Sequence, residues 1–128
     1  MSRAGYKILI VEDEASMARA IKDNLVAVGY QVAMASNGEE GLAQIAKEDY
    51  NVVLLDISMP QMDGMEMMKK MREVSANKII PIIIYTNMIP DAAILHGVSR
   101  DKPTYYLSKT EHSIETLVGK IDEVIGVI

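Results

Sequence analysis

Side chains that could bind a metal ion and a phosphoryl group follow several short apolar segments of this chain. Glu12 and Asp13 come directly after one such segment, and Asp56 comes directly after another. Thr86 and Lys109 follow two further segments of the same kind. An ionised carboxylate at the end of a buried segment is costly unless another group shares its charge. The question raised by Asp56 is therefore which other side chains reach it.

Three carboxylates that converge repel each other unless they bind a cation or take up a proton. Oxygen ligands from Glu12, Asp13 and Asp56 suit a hard divalent ion, and Mg²⁺ is favoured over Ca²⁺ because so few protein oxygens leave room for waters and a phosphoryl oxygen. A carboxylate beside Mg²⁺ can attack a phosphoryl group and form an aspartyl phosphate. Thr86 could donate a hydroxyl hydrogen bond to that group, and Lys109 a compact positive charge. We expect Mg²⁺ and Lys109 to share the charge of Asp56.

Five apolar segments rich in Val, Ile and Tyr alternate with amphipathic helical patterns. Such segments are typical of buried strands. Their alternation with helices predicts right-handed βαβ units, and therefore a doubly wound α/β fold with a five-stranded parallel sheet covered by helices on both faces. Ligands bind beyond the carboxyl ends of the strands in such sheets, where the polar residues stand. The predicted strands are 7–11, 31–35, 52–55, 82–85 and 104–108.

The helical patterns differ in how clearly they begin and end. The first stops at Gly29, a residue type common after helix C-termini. Asn37 followed by Glu40 indicates a capped start for the second. The fourth pattern offers about two turns from Asp91 to His96 before Gly97 and a polar loop. We therefore expect a short or irregular fourth helix.

Length and composition exclude several classes of protein. The 128 residues are most economically one domain. Eighteen acidic and thirteen basic residues give a net charge of −5, which argues against direct binding of nucleic acid. The chain has no cysteine, which excludes disulfides and thiolate chemistry. The first apolar segment is too short for a signal peptide or a membrane span, so we expect a cytoplasmic protein without membrane association. The acidic charge balance favours a monomer, and we expect a monomer or a weak dimer.

Each polar residue taken alone also has an ordinary structural interpretation. Glu12 and Asp13 could simply favour a helix N-terminus. Asp56 could cap a turn, and Lys109 could be a solvated surface residue. Their joint occurrence at the ends of four predicted strands favours a functional site.

Four stretches resemble the receiver domain of two-component response regulators, in particular the stand-alone chemotaxis type. ILIVEDE is similar to the acidic pair of that family, and VVLLDISMPQMDG is similar to its phosphoacceptor strand and loop. PIIIYT and YYLSK are similar to the strands that carry its hydroxyl and lysine. The resemblance covers essentially the whole chain. It implies a single receiver domain over 1–128 and a flavodoxin-like sheet with strand order 2-1-3-4-5.

The resemblance also implies a function for the acidic residues. Asp56 would accept a phosphoryl group from a phosphohistidine of a histidine kinase or phosphotransfer protein. Asp13 and Asp56 would ligate Mg²⁺ directly, together with the backbone carbonyl of Ser58. Glu12 would act on the metal mostly through water. The protein would then be a regulatory phosphoacceptor in a phosphorelay, with weak self-catalysed phosphorylation and dephosphorylation, and not an enzyme.

The response to phosphorylation is implied in the same way. Thr86 and Lys109 would bind the phosphoryl group, and Tyr106 would occupy an aromatic switch position that follows Thr86. Tyr105 competes for that role, and either tyrosine could simply fill the edge of the core. A downstream protein partner would read the change on the face formed by the fourth helix, fifth strand and fifth helix.

Two departures from the family pattern are visible in the sequence. Thr110 stands where the family usually has a proline joined by a cis peptide bond. Either the Lys109–Thr110 bond is trans and Lys109 lies differently, or a strained cis bond is retained. Residues 87–103 also lack the small-residue pattern of the family, which bears on the output face.

Three other functions remain as alternatives. A pseudo-receiver would keep the acidic pocket but signal through protein binding without phosphorylation. A flavodoxin-like redox protein shares the topology, but the acidic run 12–14 would repel a flavin phosphate. A Mg²⁺-dependent phosphatase would need a second acid just after Asp56, and Ile57 and Ser58 supply none.

Overall fold

The computed structural model describes residues 2–59, 63–74 and 79–127, in which strands and helices alternate as predicted. The strands are β1 (Lys7–Val11), β2 (Gln31–Ala35), β3 (Val52–Leu55), β4 (Ile82–Thr86) and β5 (Tyr105–Ser108). The helices are α1 (Ala15–Ala27), α2 (Gly38–Lys47), α3 (Gly64–Glu73), α4 (Ala92–Asp101) and α5 (Ile114–Ile125). No helix within the described ranges is long and apolar enough to cross a membrane.

All strand pairs in the sheet are parallel, and the order is β2-β1-β3-β4-β5. Both the doubly wound α/β fold and the predicted strand order are therefore confirmed. β3 lies at the centre, and its four residues are buried, as expected for a strand covered on both faces. Two apolar cores lie on opposite faces of the sheet. One packs α1 and α5 against the sheet, and the other packs α2, α3 and α4.

The expectation of a short or irregular fourth helix is wrong. α4 runs for ten residues, the same length as α2 and α3. The side chain of Asp91 caps its start by accepting a hydrogen bond from the Ile94 amide at 2.9 Å. Gly97 lies inside the helix, where a Cβ atom would approach the Met65 Cε to 2.2 Å. That glycine therefore allows close packing of α4 on α3. The helix ends instead at Asp101, and the C-cap residue Lys102 is left-handed with φ of 52°.

Backbone hydrogen bonds align the carboxyl ends of neighbouring strands. The amide of Glu12 donates to the Ala35 carbonyl, and the amide of Asp56 donates to the Val11 carbonyl, each at 3.0 Å. The parallel ladder therefore continues for one residue beyond β1 and β3. Because of this continuation, the side chains that follow the two strands begin at the same edge of the sheet.

Gly64 brings the start of α3 close to the backbone that carries Asp56. A Cβ atom on Gly64 would lie 2.5 Å from the Asp56 carbonyl oxygen and 2.6 Å from the Ile57 Cα. Backbone atoms at these distances cannot move aside as a flexible side chain can. The side chain of Asp63 caps the helix by accepting a hydrogen bond from the Glu66 amide at 2.9 Å. The residue type at 64 thus sets the distance between α3 and the end of β3.

We predict that Gly64→Ala lowers the free energy of unfolding by about 2 to 3 kcal/mol, because the added methyl group overpacks a backbone contact. The matched control is Gly119→Ala, at an exposed position of α5 where no atom lies within 4 Å of the added Cβ. That change should raise the free energy of unfolding by about 0.5 to 1 kcal/mol. Urea unfolding measures both. Equal effects of the two substitutions would contradict the close approach at Gly64.

Candidate functional site

The structure brings the predicted polar residues of the strand ends together. Carboxylate oxygens of Glu12, Asp13 and Asp56 all lie within 4.8 Å of one another. Glu12 and Asp56 are buried, whereas Asp13 is exposed. Thr86 and Lys109 reach the same cluster from β4 and from the end of β5. The cluster is therefore open to solvent on the side of Asp13.

Asp56 accepts hydrogen bonds from three donors although only 7% of its surface is exposed. Its Oδ1 accepts from the Thr86 hydroxyl at 2.7 Å and from the Ser58 amide at 3.0 Å. Its Oδ2 accepts from the Lys109 ammonium at 2.9 Å. Both carboxylate oxygens are therefore satisfied, which lowers the cost of ending a buried strand on a charge.

Lys109 lies between the two buried carboxylates. Its ammonium contacts Oε1 of Glu12 as well as Asp56, and only 7% of its side chain is exposed. Burial lowers the pKa of Lys109, but the bonds to Glu12 and Asp56 outweigh this effect, so the pKa is raised overall. Of the two arrangements left open for the Lys109–Thr110 bond, the structure has the trans one, because the described residues contain no cis peptide bond.

The pocket carries more negative than positive charge. Burial raises the pKa of Glu12, and the charge of Asp56 acts in the same direction, while the bonds from Lys109 and the Glu14 amide oppose them. Two buried carboxylates thus share one ammonium, and Asp13 adds a third negative charge at the exposed side. A set of hard oxygen donors with excess negative charge fits a hard divalent cation.

A series of hydrogen bonds leads from Asp56 to Tyr106. The Thr86 hydroxyl donates to Asp56 and accepts from the Met88 amide at 3.3 Å. The Met88 carbonyl accepts from the Tyr106 hydroxyl at 2.8 Å. Tyr105 points elsewhere, and its hydroxyl donates to Glu123 at 3.2 Å. Of the two tyrosines, Tyr106 is therefore the one connected to Thr86.

Ser58 contacts Asp56 through its amide, while the predicted metal contact of its carbonyl stays a prediction. Ser58 and Asp13 also line a surface cleft of about 540 Å³, together with Met59 and Met88. A phosphoryl donor could approach the acidic cluster through this cleft. Residues 60–62 of the segment VVLLDISMPQMDG lie outside the described residues.

Sequence analysis missed two hydrogen bonds in and around the site. The amide of Ser58 binds Asp56, which only the backbone course of the loop reveals. Tyr85 lies one residue before Thr86, and its hydroxyl donates a hydrogen bond to the His112 carbonyl in the loop after β5. The tyrosine in the otherwise apolar segment PIIIYT indicates such a hydrogen bond, because the hydroxyl of a buried tyrosine usually has a hydrogen-bond partner.

Replacement of Lys109 tests the charge balance of the pocket. We predict that Lys109→Gln lowers the free energy of unfolding at pH 7 by about 3 to 5 kcal/mol, because two buried carboxylates lose their cation. The control Lys70→Gln breaks a pair with Glu66 in which both side chains are exposed, and its effect should stay within about 0.5 kcal/mol.

The deficit in the free energy of unfolding caused by Lys109→Gln should also depend on pH. Without the bond from Lys109, the pKa of Glu12 in the folded state rises further above its ordinary value. A carboxyl group with a raised folded-state pKa contributes stability below its ordinary pKa and loses it as the pH rises. The deficit should therefore be larger at about pH 7 than at about pH 5. Denaturant unfolding at both pH values measures it, and a deficit that grows on acidification would contradict the charge balance.

Comparison with known proteins agrees with this geometry. The chain is 44% identical over 86 residues to the probable transcriptional regulator ycf27 of Pyropia yezoensis, a match that covers 67% of this chain and 34% of the relative. This chain spans half or less of the length of the curated relatives it matches. The response regulator receiver domain protein (CheY-like) of Methanospirillum hungatei superposes with a TM-score of 0.85 at 28% identity, covering 94% of each chain.

A second solved structure of similar fold was determined as a complex. The response regulator TrrA of Thermotoga maritima, solved in complex with Mg²⁺ and BeF, has a TM-score of 0.79 at 28% identity. The match covers 93% of this chain and 98% of that one. The description of the response regulator receiver domain family itself matches residues 8–122. With its parallel five-stranded sheet and the acidic cluster at the strand ends, the chain belongs to the receiver domain family of two-component response regulators.

Proposed function

We propose that Asp56 is the phosphoacceptor of a single receiver domain spanning 1–128, and that it takes a phosphoryl group from a phosphohistidine of a histidine kinase or phosphotransfer protein. The observation that carries this proposal is the contact of one carboxylate with the Thr86 hydroxyl and the Lys109 ammonium inside an acidic cluster. These donors suit the oxygens of a phosphoryl group as well as they suit a carboxylate.

The transfer exchanges one bond to phosphorus for another. An oxygen of Asp56 forms the new O–P bond while the P–N bond of the donor breaks, and the electron pair of that bond leaves with the imidazole nitrogen. Lys109 balances the negative charge that gathers on the phosphoryl oxygens, and Thr86 donates a hydrogen bond to one of them. We propose that the catalytic contribution of the chain is limited to positioning and charge neutralisation. Self-catalysed phosphorylation and dephosphorylation would then be weak, in a regulatory domain that is not an enzyme.

We propose Mg²⁺ as the cofactor of this reaction. Asp13 and Asp56 would ligate it directly, the carbonyl of Ser58 would add a backbone ligand, and Glu12 would act mostly through water. When bound, the ion neutralises charge between the acceptor carboxylate and the incoming phosphoryl group. The complex of Thermotoga maritima TrrA with Mg²⁺ and BeF supports this choice by analogy.

The signal is proposed to leave the site through Thr86 and Tyr106. Phosphorylation adds negative charge and new acceptors beside the Thr86 hydroxyl. A shift of that hydroxyl towards the phosphoryl group alters its bond with the Met88 amide, and the Tyr106 hydroxyl rests on the Met88 carbonyl. A downstream protein would read the result on the face of α4, β5 and α5.

One observation favours a pseudo-receiver as the second candidate. The bonds of Lys109 to Glu12 and Asp56, together with backbone amides that donate to each carboxylate, already pair both buried groups with donors of the chain itself. A pocket satisfied in this way could serve as a fixed structural element beneath a protein-binding face. Phosphorylation assays distinguish the two functions.

We predict that Asp56→Asn abolishes uptake of a phosphoryl group from phosphoramidate, because the amide is a poor nucleophile. Glu12→Gln should still be phosphorylated but should require more Mg²⁺, since one carboxylate of the cluster is lost. Asp49→Asn, at an exposed position before β3, is the control and should behave like the wild type. Intact-mass measurements with Mg²⁺ and with chelator detect the adduct. Uptake by Asp56→Asn would show that the nucleophile is another residue.

The hydroxyl of Thr86 can be tested by a matched pair of substitutions. Thr86→Val keeps the shape of the side chain and removes the donor, and it should slow phosphorylation by about 10- to 100-fold. Thr86→Ser keeps the donor and should lie within about threefold of the wild type. Phosphoryl uptake over time measures both rates. If the valine variant is as fast as the serine variant, the hydroxyl has no part in the transfer.

A further inference from the structure

The hydroxyl of Tyr85 makes a long-range contact that the site described above does not use. Tyr85 is 4% exposed, and its hydroxyl donates to the backbone carbonyl of His112 at 2.6 Å. An aromatic ring alone would fill this part of the core, and a buried hydroxyl is costly without a partner. This hydrogen bond therefore links the Tyr85 hydroxyl to the turn that contains His112.

This turn follows β5 and contains Lys109. The amides of Glu111 and His112 donate to the Ser108 carbonyl at 3.2 and 3.0 Å. The Ser108 hydroxyl also contacts the Thr110 hydroxyl at 2.8 Å and accepts from the Thr110 amide at 3.2 Å. These bonds give the turn a defined internal shape, but they lie within the turn itself. They do not fix where the turn stands relative to the acidic cluster.

The end of β4 holds the turn against the sheet. The carbonyl of Thr86 accepts from the Lys109 amide at 2.9 Å, which fixes the near end of the turn. Tyr85 reaches the far end from the opposite face of the strand, because successive side chains of a strand alternate. Tyr85 also borders a small cavity together with Glu12 and Asp56. Tyr85 therefore lies close to the two residues whose carboxylates bind Lys109.

We propose that Tyr85 is a positioning residue for Lys109: its hydroxyl, on the His112 carbonyl, holds the turn so that the Lys109 ammonium reaches Asp56. The inference rests on the proposed phosphoacceptor function for its effect on phosphoryl transfer. The placement of Lys109 itself does not depend on that function. In this role Tyr85 touches neither the phosphoryl group nor the metal, because it acts only through the turn.

The substitution that tests this role is Tyr85→Phe, which removes the hydroxyl and keeps the ring. The matched control is Tyr50→Phe. Tyr50 is also buried, with 6% exposure, and its hydroxyl donates to the Gln44 side chain at 3.3 Å at the opposite end of the strands. Circular dichroism checks that both variants are folded at the temperature of the measurements.

The first readout follows Lys109 without any phosphorylation. The ammonium of a buried, paired lysine exchanges its protons slowly enough to give a proton–nitrogen NMR signal, and Lys109→Arg identifies the signal by its loss. We expect the Lys109 signal in the wild type and in Tyr50→Phe, and its broadening or loss in Tyr85→Phe. An unchanged signal in Tyr85→Phe would overturn the proposal.

The second readout is the rate of phosphorylation by phosphoramidate at saturating Mg²⁺. Tyr85→Phe should be slower than wild type by about three- to tenfold, the range expected for one lost hydrogen bond. In a Lys109→Ala background the same substitution should change the remaining rate by less than about twofold, because the residue it positions is gone. An equal slowing in both backgrounds would assign Tyr85 a general structural role and overturn the proposal.

The two readouts separate this inference from the proposed function. If the wild type takes up no phosphoryl group from phosphoramidate and also binds no Mg²⁺, the phosphoacceptor function fails, and the ammonium signal still decides whether Tyr85 positions Lys109. If the wild type is phosphorylated and the signal does not respond to Tyr85→Phe, the positioning role fails alone.

Discussion

The charge of Asp56 stands at the end of the central strand, where both faces of the sheet are covered. A carboxylate in that position is stable only where donors surround it, and the structure supplies the Thr86 hydroxyl, the Ser58 amide and the Lys109 ammonium. Glu12 competes for the same ammonium, so the pocket keeps an excess of negative charge. This excess of negative charge suits the binding of a divalent cation. It also suits a reaction in which charge neutralisation is the main requirement.

The fold meets this requirement through parallel strands whose ends coincide. β1, β3, β4 and the end of β5 each deliver one part of the site, and the backbone ladder keeps their ends level. Gly64 lets α3 start against the Asp56 backbone, and Tyr85 ties the turn of Lys109 to β4 from the other side. The site is therefore held from both faces of the sheet, which limits how far its groups can drift apart.

Much of the fold could be predicted from the sequence because hydrophobic periodicity reports burial directly. The apolar segments gave the strands to within one residue, and polar residues after them marked the edge where Glu12, Asp56 and Lys109 meet. The sequence predicts too short an α4 because a glycine such as Gly97 is a common stop signal. The actual role of Gly97, packing against Met65, depends on a helix distant in sequence. The contacts of Tyr85 and of the Ser58 amide depend on loop paths, which local patterns do not determine.

An NMR titration with Mg²⁺ followed by beryllofluoride tests most directly whether the cluster around Asp56 is a metal-dependent phosphoryl site. Mg²⁺ should shift the amide signals of Asp13 and Asp56, and beryllofluoride, a mimic of the phosphoryl group, should then shift those of Thr86, Met88 and Lys109. The second set of shifts should require Mg²⁺ and should be missing in Asp56→Asn. Shifts from beryllofluoride that occur without Mg²⁺, or the lack of any response at these residues, would contradict a metal-dependent phosphoryl site at Asp56.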